Sequence, residues 1–377
     1  MSGQRIVSID FWRGLALLTI FVDHIPGNPL ERATYRNFGF SDAAEIFVFL
    51  AGTAAALAYM RGLGSDAPRT TIKVGLRAFT LYTSHLAVVI ACGAVIAYAV
   101  LATGDSRFLA NVGLDTLTAA PLHAMIGIAT LGFQPGWMNI LPLYVVLLLM
   151  APVLLSLARK SPWLALGASA TLYLATQLFG LHLPTYPAQG GWFFNPLAWQ
   201  LLFTLGICLG SGMIRGLSMP RSRVLVGLAA GYAVLAAVWA HFGPYAPWDL
   251  RPVPPFLWDF DKTNLSLPRL LHVAAVVYLI AQLPVIETRL RLSAIAKPFI
   301  VLGRHSLPVF CVGTVLAITL QIVRATLGTT VLTDLLLLGA GALLQIGLAW
   351  ALEWYGSASK SRERAVPAAA PLPLLSR

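Results

Sequence analysis

Five ionisable residues, Arg13, Asp23, His24, Asp42 and Glu45, lie in or beside the apolar runs between Ser8 and Thr53. At the centre of a bilayer each such side chain costs on the order of 3 kcal/mol by insertion scales, so an ionisable residue there marks function by default. The residue types fit proton transfer. Imidazole titrates near neutral pH and can take a proton from an attacking hydroxyl, which makes His24 a candidate general base. A carboxylate could orient its ring. Asp23 is its neighbour in sequence, but successive helical residues point about 100° apart. A carboxylate from another helix would serve better, and Asp42 and Glu45 supply two, of which Glu45 is preferred because I-F-V-F-L-A-G follows it. D-A-A-E also resembles a capping box, with Asp42 at the N-cap and Glu45 at N3. Both readings stay open for Asp42.

Arg13 and His24 are eleven residues apart, about three turns, so they share a helix face roughly 16 Å apart along the axis. Asp10 lies at i−3 to Arg13 on that face. The first helix would thus have a basic inner end and an imidazole outer end. Arg61, Arg69, Lys73 and Arg77 cluster after the second apolar run. They read first as a topology signal in contact with lipid phosphate, and second as a grip for an anionic cytoplasmic cofactor. Arg304, His305 and Ser306 follow Gly303 inside a later run, where Arg304 can snorkel inward and His305 could line a channel. Glu353 is read as interfacial. Of the three cysteines, Cys92, Cys208 and Cys311, each sits in an apolar run with no metal-like or redox spacing. No metal is expected. The motifs of serine hydrolases, zinc proteases and P-loop nucleotidases are missing.

The elements that must position these residues are membrane helices. The 377 residues are 58% hydrophobic and 11% charged, with a mean hydropathy of +0.76. Soluble domains carry roughly 25% charge. With about 20 residues needed per crossing, ten spans are predicted near 7–26, 42–61, 77–102, 138–158, 161–180, 197–214, 223–242, 267–285, 298–323 and 331–354. The fold class is all-α, a polytopic bundle. Most of the 26 Lys and Arg fall in one set of loops, and only Arg32, Arg36, Arg107, Arg251, Lys262, Arg269 and Arg324 fall in the other. The positive-inside rule then puts both termini in the cytoplasm. The start reads as a retained helix and not a cleaved signal peptide. The net charge of +11 follows from these loops, so nucleic-acid binding is not expected. Residues 1–355 form one membrane domain, and the Pro- and Ala-rich 356–377 read as a disordered cytoplasmic tail.

Between Gly104 and Trp137 the connection is too long for a plain loop. It predicts an interfacial or re-entrant helix leading to Trp137 at the headgroup level. The loops 180–196 and 242–268 are rich in Pro, Trp, Tyr and Gly. They serve as aromatic anchors that could also stack on a sugar.

Three blocks, D-F-W-R-G-L from Asp10, F-V-D-H-I-P from Phe21 and F-G-F-S-D-A-A-E-I-F-V-F-L-A-G from Phe38, resemble the start of the OpgC family, integral-membrane succinyltransferases of osmoregulated periplasmic glucans. G-F-Q-P-G-W-M-N-I-L-P-L-Y from Gly132 and L-G-R-H-S-L from Leu302 are also similar to it. More distantly, the first helix and the acidic residue before F-V-F-L are similar to the acyltransferase-3 and heparan glucosaminide acetyltransferase groups. The resemblance implies a multi-pass protein of the bacterial inner membrane that acylates a sugar hydroxyl on its outer side from cytoplasmic acyl-coenzyme A. His24 then matches the first-helix base, Arg13 the first-helix Arg, and Asp42 and Glu45 the acidic pair. The basic inner mouth of Arg61, Arg69, Lys73 and Arg77, with Arg304, His305 and Ser306, would hold the coenzyme and its 3′-phospho-ADP. Asn139, Tyr144 and Ser306 are candidates for the oxyanion donors that a tetrahedral intermediate needs, and Trp137 for acceptor contact. The partners implied are acyl-coenzyme A, a glucan or related envelope polysaccharide and the lipid bilayer. A homo-oligomer is compatible with the sequence. The main alternative is a transporter or flippase of a glycan or lipid-linked sugar, although no paired halves with broken helices are visible. A third reading is a non-catalytic partner of an envelope polysaccharide machine.

Overall fold

A computed structural model describes residues 6–243, 250–283 and 286–365, with side chains described as far as 357. The secondary structure of these residues is helices joined by loops, and the only extended pairing among them is an isolated bridge between Pro184 and Gly191. The helices are α1 (Val7–Asp23), α2 (Ala43–Ser65), α3 (Ala67–Thr103), three short ones α4 (Arg107–Ala110), α5 (Asp115–Ala119) and α6 (Pro121–Ala129), then α7 (Ile140–Lys160), α8 (Pro162–Phe179), α9 (Pro196–Ile214) and α10 (Arg223–Phe242). They continue with α11 (Leu267–Ala281), α12 (Ile286–Leu292), α13 (Ala296–Arg304), α14 (Ser306–Leu327) and α15 (Val331–Ala365). By length and composition, α2, α3, α7, α9, α10, α14 and α15 can each cross a membrane, and α11 with α12 make an eighth segment bent by 75°. The chain is a multi-pass membrane protein. α1, at 17 residues, and α8 fall short of that test as single straight spans.

Helix α2 is the centre of the bundle. It buries residues all round its circumference, including Glu45, Phe47, Val48, Ala51, Thr53, Ala55 and Ala56. A helix apolar on every face is enclosed by other helices, and α1, α3, α7 and α9 surround this one. By contrast, α10 buries only Ala236 and packs on α11 at the periphery, as a lipid-facing helix would.

Close backbone contact sets the position of α1. A Cβ on Gly303 would overlap the carbonyl oxygen of Asp10, and one on Gly14 would overlap that of Phe299, so α1 and α13 meet backbone to backbone. Small residues permit such approach in membranes, where packing and not the hydrophobic effect holds helices together. Gly303→Val forces the two helices apart. Its expected cost is about 1–3 kcal/mol or more, read as a lower melting temperature in detergent, with Arg13 and His24 both displaced. A variant melting like wild type would show that the contact is slack. The N-terminus of α1 is also held from a distance. Glu287 on α12 accepts the backbone N–H groups of Val7 and Ser8, each at 2.8 Å, and so satisfies donors that α1 cannot satisfy itself.

Three expectations are corrected. The ninth span is not one helix: α13 ends at Arg304, and α14 restarts at Ser306 after His305, whose φ of −109° and ψ of 38° leave the helical region. The long 104–137 connection holds three short helices in place of one, and α6 exposes Leu122, Met125 and Ile126. Helix α15 continues to Ala365, past the boundary expected at 355, while 366–377 lie outside the described residues.

Candidate active site

The first cavity is about 410 Å³ and opens at the His24 end of α1. Ile20, Asp23 and His24 line it from α1, Asp42, Ala43 and Ala44 from the start of α2, and Asn139 and Ile140 from the start of α7. Arg36, Trp137 and Lys262 complete its polar and aromatic wall. The second cavity, about 180 Å³, lies further along α1, α2 and α7, with Arg13 from α1, Ala51 and Tyr59 from α2 and Tyr144 from α7, and Ser306 from α14 joins them. Arg77 on α3 enters it from the side. Phe310 of α14 lines both cavities. Its ring stacks on Phe47 with centroids 6.4 Å apart, and Phe47 in turn meets Tyr144 at 5.6 Å. Phe310, with Phe47 and Tyr144 beside it, thus forms an aromatic partition that both cavities share.

His24 ends α1. Its backbone N–H bonds to the carbonyl of Ile20, and its carbonyl accepts from the Gln321 side chain at 2.5 Å. Arg324 donates to the carbonyls of Pro26 and Gly27 at 2.6 and 3.0 Å and pairs with Asp334, which fixes the turn behind His24 from α14. The imidazole lies 5.1 Å from the Trp137 ring, centroid to centroid. Trp137 has φ of +69°, a left-handed backbone costly for a bulky side chain. Such strain persists where the surroundings enforce it and clusters at functional sites. Asn139 sits at the N-cap of α7 without making a capping bond and lines the cavity.

The acidic residues divide by role. Glu45 is fully enclosed. Its carboxylate accepts from the backbone N–H of Asp42 at 2.9 Å and from Arg269 Nε at 2.7 Å. It therefore completes the capping box and forms a buried ion pair, and it is not placed to orient His24. The geometry follows from the box itself, which turns the N3 side chain back over its own helix end. Asp42 does two things. One oxygen caps α2 through the N–H of Ala44 at 2.8 Å, and the other binds Lys262 Nζ at 2.5 Å and Arg269 at 3.3 Å while the residue faces the cavity. Asp23 also faces the cavity, with Arg36 4.0 Å from its carboxylate. Among the described residues no carboxylate hydrogen-bonds the His24 ring.

The cations were harder to foresee. Lys262 and Arg269 come from the loop before α11 and from its first turn, more than 200 residues away from Asp42 in sequence. Asp261 shapes that loop by accepting the N–H groups of Thr263 and Asn264 at 2.9 and 3.0 Å, and the Trp199 indole holds the Lys262 carbonyl at 3.0 Å. Arg36 lies on the loop between α1 and α2, which His272 anchors: its Nδ1 accepts from Ser41 N–H at 3.2 Å and lies 2.7 Å from Ser41 Oγ. The one sequence signal for these cations is that they lie in the loops otherwise poor in Lys and Arg.

Of the residues expected to grip a cofactor, Arg13, Arg77 and Ser306 share the second cavity, and Tyr144 joins them there instead of Asn139. The oxyanion candidates are thereby split between the two cavities. Arg61, Arg69 and Lys73 are exposed and do not line this cavity. Arg304 and His305 are occupied by Glu353, at 2.7 and 2.9 Å, so Glu353 is a structural partner at the α13–α14 break and not a bystander at the interface.

The chain is thus a multi-pass helical protein with two cavities that carry charged side chains and share Phe310. The OpgC protein family model matches residues 5–357, and the chain belongs to that family. With membership goes the general activity, a transferase of glucan modification whose chemistry is acyl transfer. No curated protein and no solved structure matches the chain.

Proposed function

We propose that this protein is an O-acyltransferase of the bacterial inner membrane that moves a succinyl group from cytoplasmic acyl-coenzyme A to a sugar hydroxyl of a periplasmic glucan. One membrane domain crosses ten times, with both termini in the cytoplasm. The observation that carries the reading is the pair of cavities that share Phe310, one holding Arg13 and Arg77, the other His24. A cationic cavity suits an anionic donor entering from the cytoplasm. A cavity edged by an imidazole, carboxylates and an amide suits a polyhydroxylated acceptor arriving from the other side.

The chemistry then runs across the partition. The acceptor hydroxyl gives its proton to a nitrogen of His24 as its oxygen forms a bond to the thioester carbonyl carbon. The tetrahedral intermediate collapses with loss of the coenzyme thiolate, which recovers the proton from the imidazolium. Asn139 is the amide donor closest in role to an oxyanion partner. Asp42, paired with Lys262 and Arg269, and Asp23, beside Arg36, set carboxylates on the wall of the cavity that His24 lines.

Calorimetry on purified protein in nanodiscs tests the donor assignment. Succinyl-coenzyme A is expected to bind, and Arg13→Ala to weaken it by about tenfold, a typical loss for one charge-assisted contact. Binding unaltered in Arg13→Ala would move the donor elsewhere. No binding of any acyl-coenzyme A would favour a glycan transporter.

A further inference from the structure

A third cavity lies beside the His24 cavity, and Phe193 forms part of the wall of both. It is about 230 Å³ and is bounded by the 132–134 and 185–193 segments. Its walls carry Phe133, Tyr186, Trp192 and Phe193, with Gln134 and Thr185 as polar neighbours. Among the described residues no charged side chain lines it. The frame is built and rigid: Thr185 N–H bonds to the Gly190 carbonyl at 3.0 Å, and Tyr186 N–H bonds to the Gly132 carbonyl at 3.0 Å, which ties the two segments together. The Trp192 indole donates to the Pro184 carbonyl at 3.1 Å, which fixes its plane. Against this frame Phe193 and Tyr186 stay 48% and 39% exposed. The side-chain carbonyl of Gln134 is buried with no hydrogen-bond partner, and a buried acceptor in that state calls for a donor.

We propose that this cleft is a second sugar subsite, which holds a glucose ring of the acceptor chain away from the hydroxyl being acylated; the inference rests on the acyl-acceptor reading of the His24 cavity. Flat aromatic faces pack against the C–H faces of a pyranose, while an amide and a hydroxyl meet its hydroxyl groups. Such a lining, apolar with a few placed polar groups and uncharged, matches a neutral carbohydrate better than a phosphate headgroup. Sharing Phe193 makes the two sites contiguous, so one oligosaccharide can occupy both. The enzyme then gains affinity from chain length without any change at the reacting sugar.

Equilibrium binding of a glucose disaccharide and a glucose octasaccharide, measured by calorimetry on the full-length protein in nanodiscs, tests the subsite. The octasaccharide is expected to bind more tightly than the disaccharide. Phe193→Ala and Tyr186→Ala should each reduce that advantage by roughly fivefold or more, the scale of losing an aromatic anchor. Phe193→Trp keeps a flat ring and should keep the advantage, which separates stacking from general damage to the fold. Equal binding of the two sugars by wild type, no binding of either, or an advantage that survives both alanine variants would overturn the subsite. Aromatic residues that only anchor the protein at the membrane surface would lower thermal stability in these variants and leave the chain-length ratio as it was. Length-dependent binding without any acyl transfer would leave the subsite standing and count against the transferase reading alone.

Discussion

His24→Ala removes acyl transfer, with a loss on the order of a hundred- to ten-thousand-fold, the range a positioned general base contributes, while the protein still inserts and melts close to wild type. The second half of that outcome follows from how His24 is held. Its carbonyl and the turn behind it are bound through the main chain by Gln321 and Arg324. Those contacts do not need the imidazole, whose own described neighbour is the Trp137 ring. Glucan acylation by the purified variant, followed with a radiolabelled or mass-tagged acyl donor, provides the measurement. Donor binding should persist, because Arg13 and Arg77 line the other cavity. Full transfer by His24→Ala would remove the base from the mechanism.

Arg269→Met is expected to cost about 3–5 kcal/mol of folding stability, the scale for stripping one partner from a buried ion pair. Glu45 is fully enclosed, and Arg269 is its only described cationic partner, with N···O distances down to 2.5 Å. Removing the guanidinium leaves a buried carboxylate beside Asp42 with one cation, Lys262, where there were two. A lowered melting temperature in detergent reads this directly. Adding Glu45→Gln should recover part of the loss, since the neutral amide can still accept the Asp42 N–H. A single variant as stable as wild type would mean that water reaches Glu45. The pair of substitutions also separates scaffold from chemistry: Glu45 supports the helix end that presents Asp42 to the cavity and does not itself touch His24.

Much of the frame was legible because hydropathy and length decide it. The apolar runs that became α2, α7, α9 and α10 begin and end within a few residues of where the sequence puts them. Helix α3 starts at Ala67, ten residues before the apolar run, and the signal was local: Asp66 caps it through Arg69 N–H at 3.1 Å, and Pro68 occupies its first turn. The break at His305 was not legible, since one residue leaving the helical region does not alter a hydropathy average. At the site, the sequence located His24, Asp23, Asp42, Trp137 and Asn139, which the fold brings to one cavity, and Arg13, Arg77, Tyr144 and Ser306, which it brings to another. It placed Glu45 as the orienting carboxylate, although S-D-A-A-E already carried the capping pattern that decides its direction. The partners of the acids, Lys262, Arg269 and Arg36, arrive through tertiary folding from loops with no period or motif linking them to α2.

A density map of the protein with succinyl-coenzyme A bound tests the central claim most directly. The account expects the nucleotide end on the Arg13 and Arg77 side and the thioester at the Phe310 partition, within reach of His24. Density for the coenzyme in the His24 cavity itself, or with its thioester remote from Phe310, would contradict it.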